Sequence, residues 1–161
     1  MMVCSLAFSQ SKKEKKRLKE EKAQNEFVEL KKTIESGKMK FQFDWAMTQK
    51  GRRVNLSGSG YSLAVDTTNM SGAANLPYFG AVQVPNLSGD GGVKFSGSIT
   101  DYSVKYKEKK YKAYVKFSAR AESNQETFTF GISITGNGSS NAGVTSAYRN
   151  RISYTGNMSG L

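Results

Sequence analysis

The sequence contains no histidine and only one cysteine, Cys4. Histidine is the side chain that most often acts as a general base or binds a metal near neutral pH, so its absence excludes the Ser-His-Asp and Cys-His triads. We expect Cys4 to be removed with a targeting segment, which leaves the mature chain without a disulfide or a thiolate metal site. Such a chain is held together by packing alone, and 161 residues are enough for one packed domain.

Proline occurs only twice, and no apolar run is long enough to cross a membrane as a helix. Residues 1–9 are nevertheless small and apolar, and they end in Ala7-Phe8-Ser9, which fits the small-x-small pattern that signal peptidase cleaves. We interpret residues 1–9 as the remnant of a secretory signal, which predicts export to the periplasm or cell envelope. A lipoprotein signal with Cys4 as the lipidated residue is the alternative, although Val3 stands where a small residue is usual.

Acidic residues are few outside the charged N-terminal segment 10–37. Most of them fall in predicted turns or at solvent-facing positions. The seven are Asp44, Asp66, Asp90, Asp101, Glu108, Glu122 and Glu126. Only Asp44 and Asp101 lie within predicted strands, where two carboxylates can meet across a sheet and act as acid and base. The sequence therefore predicts no catalytic residues, no metal ligands and no cofactor. A hydrolase that uses carboxylates alone is the least favoured function.

Positive charge is abundant, and the net charge is +11. Residues 10–37 have the composition of a charged N-terminal helix that ends at Gly37. An apolar stripe in its second half predicts docking on a sheet. The stripe is formed by Ala23, Phe27, Leu30 and Ile34. The first half has no such stripe, so we expect it to stay exposed and to contact an anionic membrane surface. The candidate contacts are Lys12, Lys13, Lys15, Lys16 and Arg17.

The segment Met39–Met47 alternates large apolar residues with polar or small ones, which predicts a strand with one buried face. The residues predicted to face inward are Met39, Phe41, Phe43, Trp45 and Met47. Further short strands are predicted at Arg52–Ser57, Tyr61–Val65, Leu76–Val84, Val93–Phe95, Ile99–Tyr106, Tyr111–Ala121, Thr127–Thr135, Ala142–Ala147 and Arg151–Thr155. No helices separate them, so residues 38–161 are predicted to form one antiparallel β domain. The expected fold is mainly β, a lipocalin-like barrel or a sandwich of 8–10 strands after one α-helix.

The hairpin around residues 102–116 combines tyrosines with lysines. The tyrosines are Tyr102, Tyr106, Tyr111 and Tyr114, and the lysines are Lys105, Lys107, Lys109, Lys110 and Lys112. Aromatic and basic side chains together can bind single-stranded nucleic acid. Lysines also keep an exposed edge strand soluble, and we favour this interpretation. Nucleic acid is therefore not expected as a partner.

Three segments occur in the order and form of a known family. They are Leu76-Pro77-Tyr78-Phe79-Gly80, Gly91-Gly92-Val93-Lys94-Phe95 and Asn150-Arg151-Ile152-Ser153-Tyr154-Thr155-Gly156. On these segments the chain, from about Lys31 to Gly156, resembles the secreted Bacteroidota family named domain of unknown function 4251. The resemblance implies an envelope protein with an antiparallel, lipocalin-like β architecture. It implies no activity and carries over no catalytic or ligand-binding residues.

Two non-enzymatic functions follow from these patterns. The first is binding of a small apolar ligand or an envelope partner, with Phe41, Phe43, Trp45, Tyr78 and Phe79 as candidate contacts. The alternative is a structural or assembly protein that acts through an edge strand or surface patch and has no ligand cavity. Independently, Asp66-Thr67-Thr68 resembles the O-glycosylation signal of Bacteroidota envelope proteins, which makes Thr67 a candidate modification site.

Overall fold

The chain begins with one long helix and continues into a series of antiparallel strands. The computed structural model describes residues 6–80, 91–121 and 125–160, with side chains from residue 11 onward in these ranges. Helix α1 spans Leu6–Glu35. The strands are β1 Lys38–Thr48, β2 Arg53–Asn55, β3 Ser62–Asp66, β4 Ser71–Leu76, β5 Val93–Lys107, β6 Lys112–Arg120, β7 Thr127–Thr135, β8 Ser139–Thr145 and β9 Ile152–Gly160. None of the described helical residues forms a segment long and apolar enough to span a membrane.

Eight of these strands close into a barrel. Each strand from β3 to β8 pairs antiparallel with the next, β1 pairs with β3, and β9 returns to pair with β1. β2 is an extra strand that pairs with the second half of β1, beyond the end of β3. The predicted fold class, a mainly β antiparallel barrel after one helix, is confirmed. The strands do not form the alternative fold, a sandwich of two sheets.

The region between β3 and β5 departs from the sequence prediction. The sequence predicts no strand at residues 66–75, but most of β4 lies there, and β4 is held between β3 and β5 over its whole length. The predicted strand Leu76–Val84 is not formed, since Leu76 ends β4 and Pro77–Gly80 lies outside any strand. Residues 81–84 of that prediction lie outside the described residues. Small residues in β4 give a weak strand signal, so pairing with its neighbours decides its structure.

The second half of α1 packs across the barrel end at which β1 begins and β9 ends. Phe27, Leu30 and Ile34 are buried there, as the predicted stripe requires. The Phe27 ring lies 6.3 Å from the Tyr106 ring and 6.0 Å from the Tyr111 ring, both in edge-to-face geometry. Residues 11–20, by contrast, are exposed along their whole length. The helix therefore closes one end of the barrel with its second half and projects its charged first half away from it.

Two clusters of aromatic rings lie inside the barrel. Phe117 and Phe130 stack with centroids 4.8 Å apart, and Phe95 lies 5.6 Å from Phe130. On the other side of the barrel, the Phe43 ring lies 5.6 Å from the Tyr154 ring. Rings of this size dominate the energetics of a core, and pairs at these separations add to the effect of their burial.

β1 contains a β-bulge at Asp44, which reverses the alternation of its second half. Phe43 pairs with Gly156, whereas Trp45 pairs with Thr155, so Asp44 is an extra residue on β1. The prediction that Trp45 and Met47 face inward is therefore wrong. Ala46 and Thr48 are buried instead, and Met47 is 46% exposed. The Trp45 ring lies on the outer surface beneath the Arg53 guanidinium, which is 3.9 Å from the ring centroid.

This reversal predicts very different effects for two neighbouring aromatic residues. Trp45→Ala removes a surface cation–π contact and is expected to lower the free energy of unfolding by only about 1 kcal/mol. Phe43→Ala leaves a cavity in the core and is expected to lower it by roughly 3–5 kcal/mol. Urea unfolding followed by circular dichroism measures both, because that signal does not depend on the tryptophan. Equal losses for the two variants would contradict the bulge.

Candidate functional site

The barrel end opposite α1, which we call the distal end, lies where β4 and β8 end and where β5 and β9 begin. The three segments that carry the family resemblance meet there. The hydroxyl of Tyr78 donates to the carbonyl of Asn150 at 2.8 Å. The hydroxyl of Tyr154 donates to the carbonyl of Pro77 at 2.6 Å. Arg149, next to the third segment, donates to the carbonyls of Gly91 and Gly92.

An ion pair is buried at the distal end between Arg149 and Glu126, whose side chains are 4% and 3% exposed. Its geometry is bidentate, with Nη2 2.8 Å and Nε 3.0 Å from Oε2, and Nε 2.9 Å from Oε1. The Ser146 hydroxyl also donates to Oε1, at 2.5 Å. Such a pair is stable only when the remaining donors and acceptors are satisfied, and the neighbouring carbonyls and hydroxyl do this here.

The guanidinium of Arg149 also lies near two aromatic rings. Its central carbon is 5.2 Å from the Tyr78 ring centroid and 5.4 Å from the Phe128 centroid. Arg149 thus links the residues just before β5, the beginning of β7 and the segment after β4 through its charge, its hydrogen bonds and its ring contacts. Both buried charged side chains are therefore engaged in hydrogen bonds and an ion pair. We assign them a structural role, which is to hold the distal end closed.

Tyrosine hydroxyls at the distal end are shifted toward the neutral form. Burial raises the pKa of Tyr154 well above its ordinary value, against the opposing influence of the Arg149 charge. Burial likewise raises the pKa of Tyr78, with Arg149 again opposing. Elsewhere in the barrel, burial raises the pKa of Tyr102 to about 12.

These shifts predict a loss of stability at alkaline pH. A tyrosine whose pKa is higher in the folded than in the unfolded state stabilises the fold fully below the unfolded value of 10.0, and this contribution falls as pH rises through 10 toward the folded pKa. We expect the free energy of unfolding to decline between about pH 9 and pH 11. Tyr154→Phe should make that decline shallower, although its stability at pH 7 is lowered by loss of the bond to Pro77. Tyr148→Phe, at an exposed ring, is the matched control. Equal pH slopes for wild type and Tyr154→Phe would contradict the assignment.

The five predicted ligand contacts lie in three different surroundings. Phe41 and Phe43 are buried in the core, and Trp45 lies outside the barrel. Tyr78 is half-buried at the distal end, and Phe79 beside it is 37% exposed. The structure therefore does not gather these residues around one space. A ligand role for any of them stays a prediction.

The remaining predicted sites lie on the surface near α1. Lys12, Lys13, Lys15, Lys16 and Arg17 are all exposed on the first half of the helix, and their contact with an anionic membrane surface stays a prediction. Thr67 lies in the β3–β4 turn, where its N–H donates to the Gly37 carbonyl at 2.7 Å. Its O-glycosylation also stays a prediction.

Asp44 and Asp101, the two carboxylates within predicted strands, do not meet across the sheet. Asp44 and Asp101 lie on β1 and β5, which are separated around the barrel by β3 and β4. No group of three or more potential metal-binding side chains occurs among the described residues. Asp66 caps its own turn by accepting hydrogen bonds from Thr68 and Asn69. Partial desolvation opposes its ionisation, but these bonds hold the pKa of Asp66 below its ordinary value.

The lysine-rich hairpin is not an edge, so that interpretation is wrong. β5 is paired to both β4 and β6, and β6 to both β5 and β7, because the barrel is closed. Tyr106 and Tyr111 face α1 and pack on Phe27, while Tyr114 is exposed on the outer face. The lysines of this hairpin therefore do not protect an edge strand. They lie on two strands that each have a neighbour on both sides.

The fold and its two ends define a class of protein. It is a closed eight-stranded antiparallel β-barrel with an aromatic core, covered at one end by an N-terminal helix and at the other by a buried ion pair. The family model described as domain of unknown function (DUF4251) matches residues 21–158. The chain belongs to this family.

The comparison with solved structures agrees on the architecture. The chain is similar to the crystal structure of a DUF4251 family protein from Bacteroides eggerthii DSM 20697, with a TM-score of 0.65 and 13% sequence identity. The match covers 84% of this chain and 87% of that one. At this identity it establishes the shared fold. No curated protein matches the chain.

Proposed function

We propose that this protein is a non-enzymatic binding module of the cell envelope that recognises its partner with its outer surface, not with the barrel interior. The observation that carries the proposal is the filling of the interior. A barrel of eight strands has room either for its own side chains or for one small ligand. Here Phe95, Phe117 and Phe130 lie ring against ring on three neighbouring strands. They belong to one cluster of buried apolar side chains to which all eight barrel strands contribute.

The distal end supports the same conclusion. A barrel that admits an apolar ligand needs an entrance lined by apolar or mobile groups. At this end Arg149 donates hydrogen bonds to the Glu126 carboxylate and the Gly92 carbonyl, which ties together the segments that flank the interior. At the other end Phe27, Leu30 and Ile34 of α1 are buried against the barrel. Both closed ends therefore favour binding of a partner by a surface patch over binding of an apolar ligand inside the barrel.

The chemistry of the acidic side chains supports a non-enzymatic role. Glu126, the buried carboxylate among the described residues, is neutralised by Arg149 and bonded to Ser146. Asp44 and Asp101 lie on strands that are not neighbours. Export to the envelope is supported by the composition of residues 1–9. Fractionation of cells that express the tagged full chain, with N-terminal sequencing of the product, tests export; an uncleaved cytoplasmic protein would contradict it.

Overpacking the interior tests whether it is full. Ala113 lies on β6 and is completely buried, so Ala113→Leu adds three carbon atoms to the core. In a filled interior this change is expected to lower the free energy of unfolding by roughly 1–3 kcal/mol. Ala73→Leu, on the exposed face of β4, is the matched control and should change it by less than about 0.5 kcal/mol.

A second measurement addresses the ligand directly. Native mass spectrometry of the purified full chain should give the mass of the protein alone, and a lipophilic fluorescent probe should show no saturable binding. A co-purified lipid, or one-to-one probe binding that Ala113→Leu abolishes without unfolding the chain, would overturn the proposal in favour of an internal apolar ligand.

A further inference from the structure

A groove of about 760 Å³ lies on the outer face of the barrel across β6, β7 and β8. This volume falls within the range of small-molecule sites, about 300–1,000 Å³. Its lining includes Ser103, Lys105 and Lys107 of β5, Tyr114 and Lys116 of β6, Thr129 and Ser133 of β7, Asn141 and Thr145 of β8, and Arg151 before β9. The groove also has apolar lining residues, among them Val115 and Ile132, and neither Arg149 nor Glu126 of the distal-end ion pair lines it.

The floor of the groove exists because two glycines face each other. Gly131 of β7 pairs with Gly143 of β8, and both line the groove. A Cβ added at Gly131 would meet no atom within 4 Å, so the space above this residue is open. The Arg151 guanidinium lies over Gly143, with Nη2 2.7 Å from where a Cβ would stand. Lys116 pairs with Gly131 from the other side. Cations therefore flank a floor of bare backbone.

The charge of the groove has one sign. Lys105, Lys107, Lys116 and Arg151 line it, and no carboxylate belongs to its lining among the described residues. Within that same part of the chain, none of these four cations forms an ion pair. Lys107 instead lies 5.0 Å from the centroid of the Tyr114 ring. Four cations so placed have the charge to attract an anionic ligand and the donors for charge-assisted hydrogen bonds to carboxylate or sulfate oxygens.

The uncharged groups of the groove indicate the kind of anion. Hydroxyls of Ser103, Thr129, Ser133 and Thr145 and the amide of Asn141 are donors and acceptors that suit a ligand rich in hydroxyl groups. Tyr114 is exposed and offers one ring face, whereas Phe130 is buried beneath the floor. Single-stranded nucleic acid needs successive aromatic faces for successive bases, and this groove offers only one.

We propose that this groove binds an anionic saccharide, a chain of sugar rings that carry carboxylate or sulfate groups. The inference rests on the proposed function, because it gives the surface-acting module a ligand class and a site. The cations bind the acidic groups, the hydroxyls and amide bind the sugar hydroxyls, and Tyr114 packs against one ring. The open floor at Gly131 lets the saccharide lie close to the sheet, beside the Arg151 guanidinium that lies over Gly143.

Isothermal titration calorimetry on the full chain tests the proposal with four probes. They are a heparin-derived hexasaccharide, an oligogalacturonate, a neutral dextran-derived hexasaccharide and a single-stranded DNA dodecamer. We expect saturable binding to at least one of the two acidic saccharides, weakened by added salt, and none to the neutral one. Binding of both acidic saccharides no tighter than that of the neutral one would overturn the inference, as would tighter binding of DNA in the same groove.

Matched variants locate the binding. Lys105→Glu with Lys116→Glu reverses two groove charges, while Lys40→Glu with Lys50→Glu makes the same change of net charge at exposed positions elsewhere. Losing one charge-assisted contact weakens affinity by about tenfold, so the groove variant should lose at least that much and the control much less. Equal losses in both would mean that net charge alone attracts the saccharide, which overturns the site.

A filling variant makes the test independent of charge. Gly131→Val places a branched side chain in the open space above the floor and suits a strand. It should fold normally, as judged by circular dichroism, and should lose the acidic saccharide. Retained binding would overturn the site. A chain that binds no acidic saccharide but has a filled interior would refute this inference alone, whereas an apolar ligand inside the barrel would refute the proposed function.

Discussion

Gly156→Ala is expected to prevent the barrel from closing and to lower the free energy of unfolding by more than about 4 kcal/mol. A Cβ at this position would overlap the carbonyl oxygen of Gln42 and would stand 2.7 Å from the Cα of Phe43. Both are backbone atoms of β1, so no side-chain rotation relieves the contact. Because Gly156 pairs with Phe43 at the bulge, the methyl group would push β9 away from β1 along the seam that completes the barrel.

Gly131→Ala is the matched control, because it also replaces a strand glycine by alanine but meets no atom within 4 Å. It should leave stability unchanged or raise it by about 0.5 kcal/mol through the lower entropy of the unfolded chain. Urea unfolding gives both values, and amide hydrogen exchange should be accelerated in β1 and β9 of Gly156→Ala. A Gly156→Ala protein with the wild-type midpoint would show that the β1–β9 register is different.

The same seam explains where prediction from sequence stops. The alternation from Met39 to Phe43 places buried side chains correctly, because one face of a regular strand is buried. The alternation continues through Trp45 and Met47, and nothing in it marks the extra residue at Asp44. Only the pairing with β9 and β2, including the bond from the Leu56 N–H to the Asp44 carbonyl, requires a bulge there. The side-chain pattern therefore predicts the strand itself, whereas pairing with the partner strands determines which side chains of its second half face inward.

β4 was missed for a related reason. Its residues are serine, glycine, alanine, asparagine and one leucine, which resemble a loop by composition. Gly72 sits where a Cβ would stand 2.9 Å from the Ala64 carbonyl and 3.3 Å from side-chain atoms of Phe95 and Ile99. Small residues are thus needed where β4 passes close to its neighbours. This is a tertiary constraint, and no periodicity within the segment carries it.

The distal end was predictable in part. The three family segments were recognised in the sequence, and the structure brings Tyr78, Tyr154 and the Gly91–Gly92 turn together there. The buried pair itself was not predicted. Glu126 and Arg149 lie 23 positions apart, each between two predicted strands, where a charged residue is ordinarily solvated. Closing the barrel is what places both at one end and removes them from water.

That burial makes Arg149→Leu the second variant with a large expected effect. Removing the guanidinium takes away the arginine partner of the buried Glu126 carboxylate, which is expected to lower the free energy of unfolding by roughly 3–5 kcal/mol. The carbonyls of Gly91 and Gly92 lose a donor at the same time. Arg151→Leu, two residues away and exposed, is the matched control and should change stability by less than about 0.5 kcal/mol.

The double variant Glu126→Leu with Arg149→Leu measures how much of the stability loss comes from the interaction between the two side chains. If the main cost of Arg149→Leu is an unpaired buried carboxylate, removing that carboxylate as well should restore much of the lost stability. Recovery should be incomplete, because the two glycine carbonyls remain without the arginine. A double variant as unstable as the sum of the single variants would show that the two charges act independently, which their bidentate geometry argues against. High salt should change none of these values much, since screening acts weakly on buried charges.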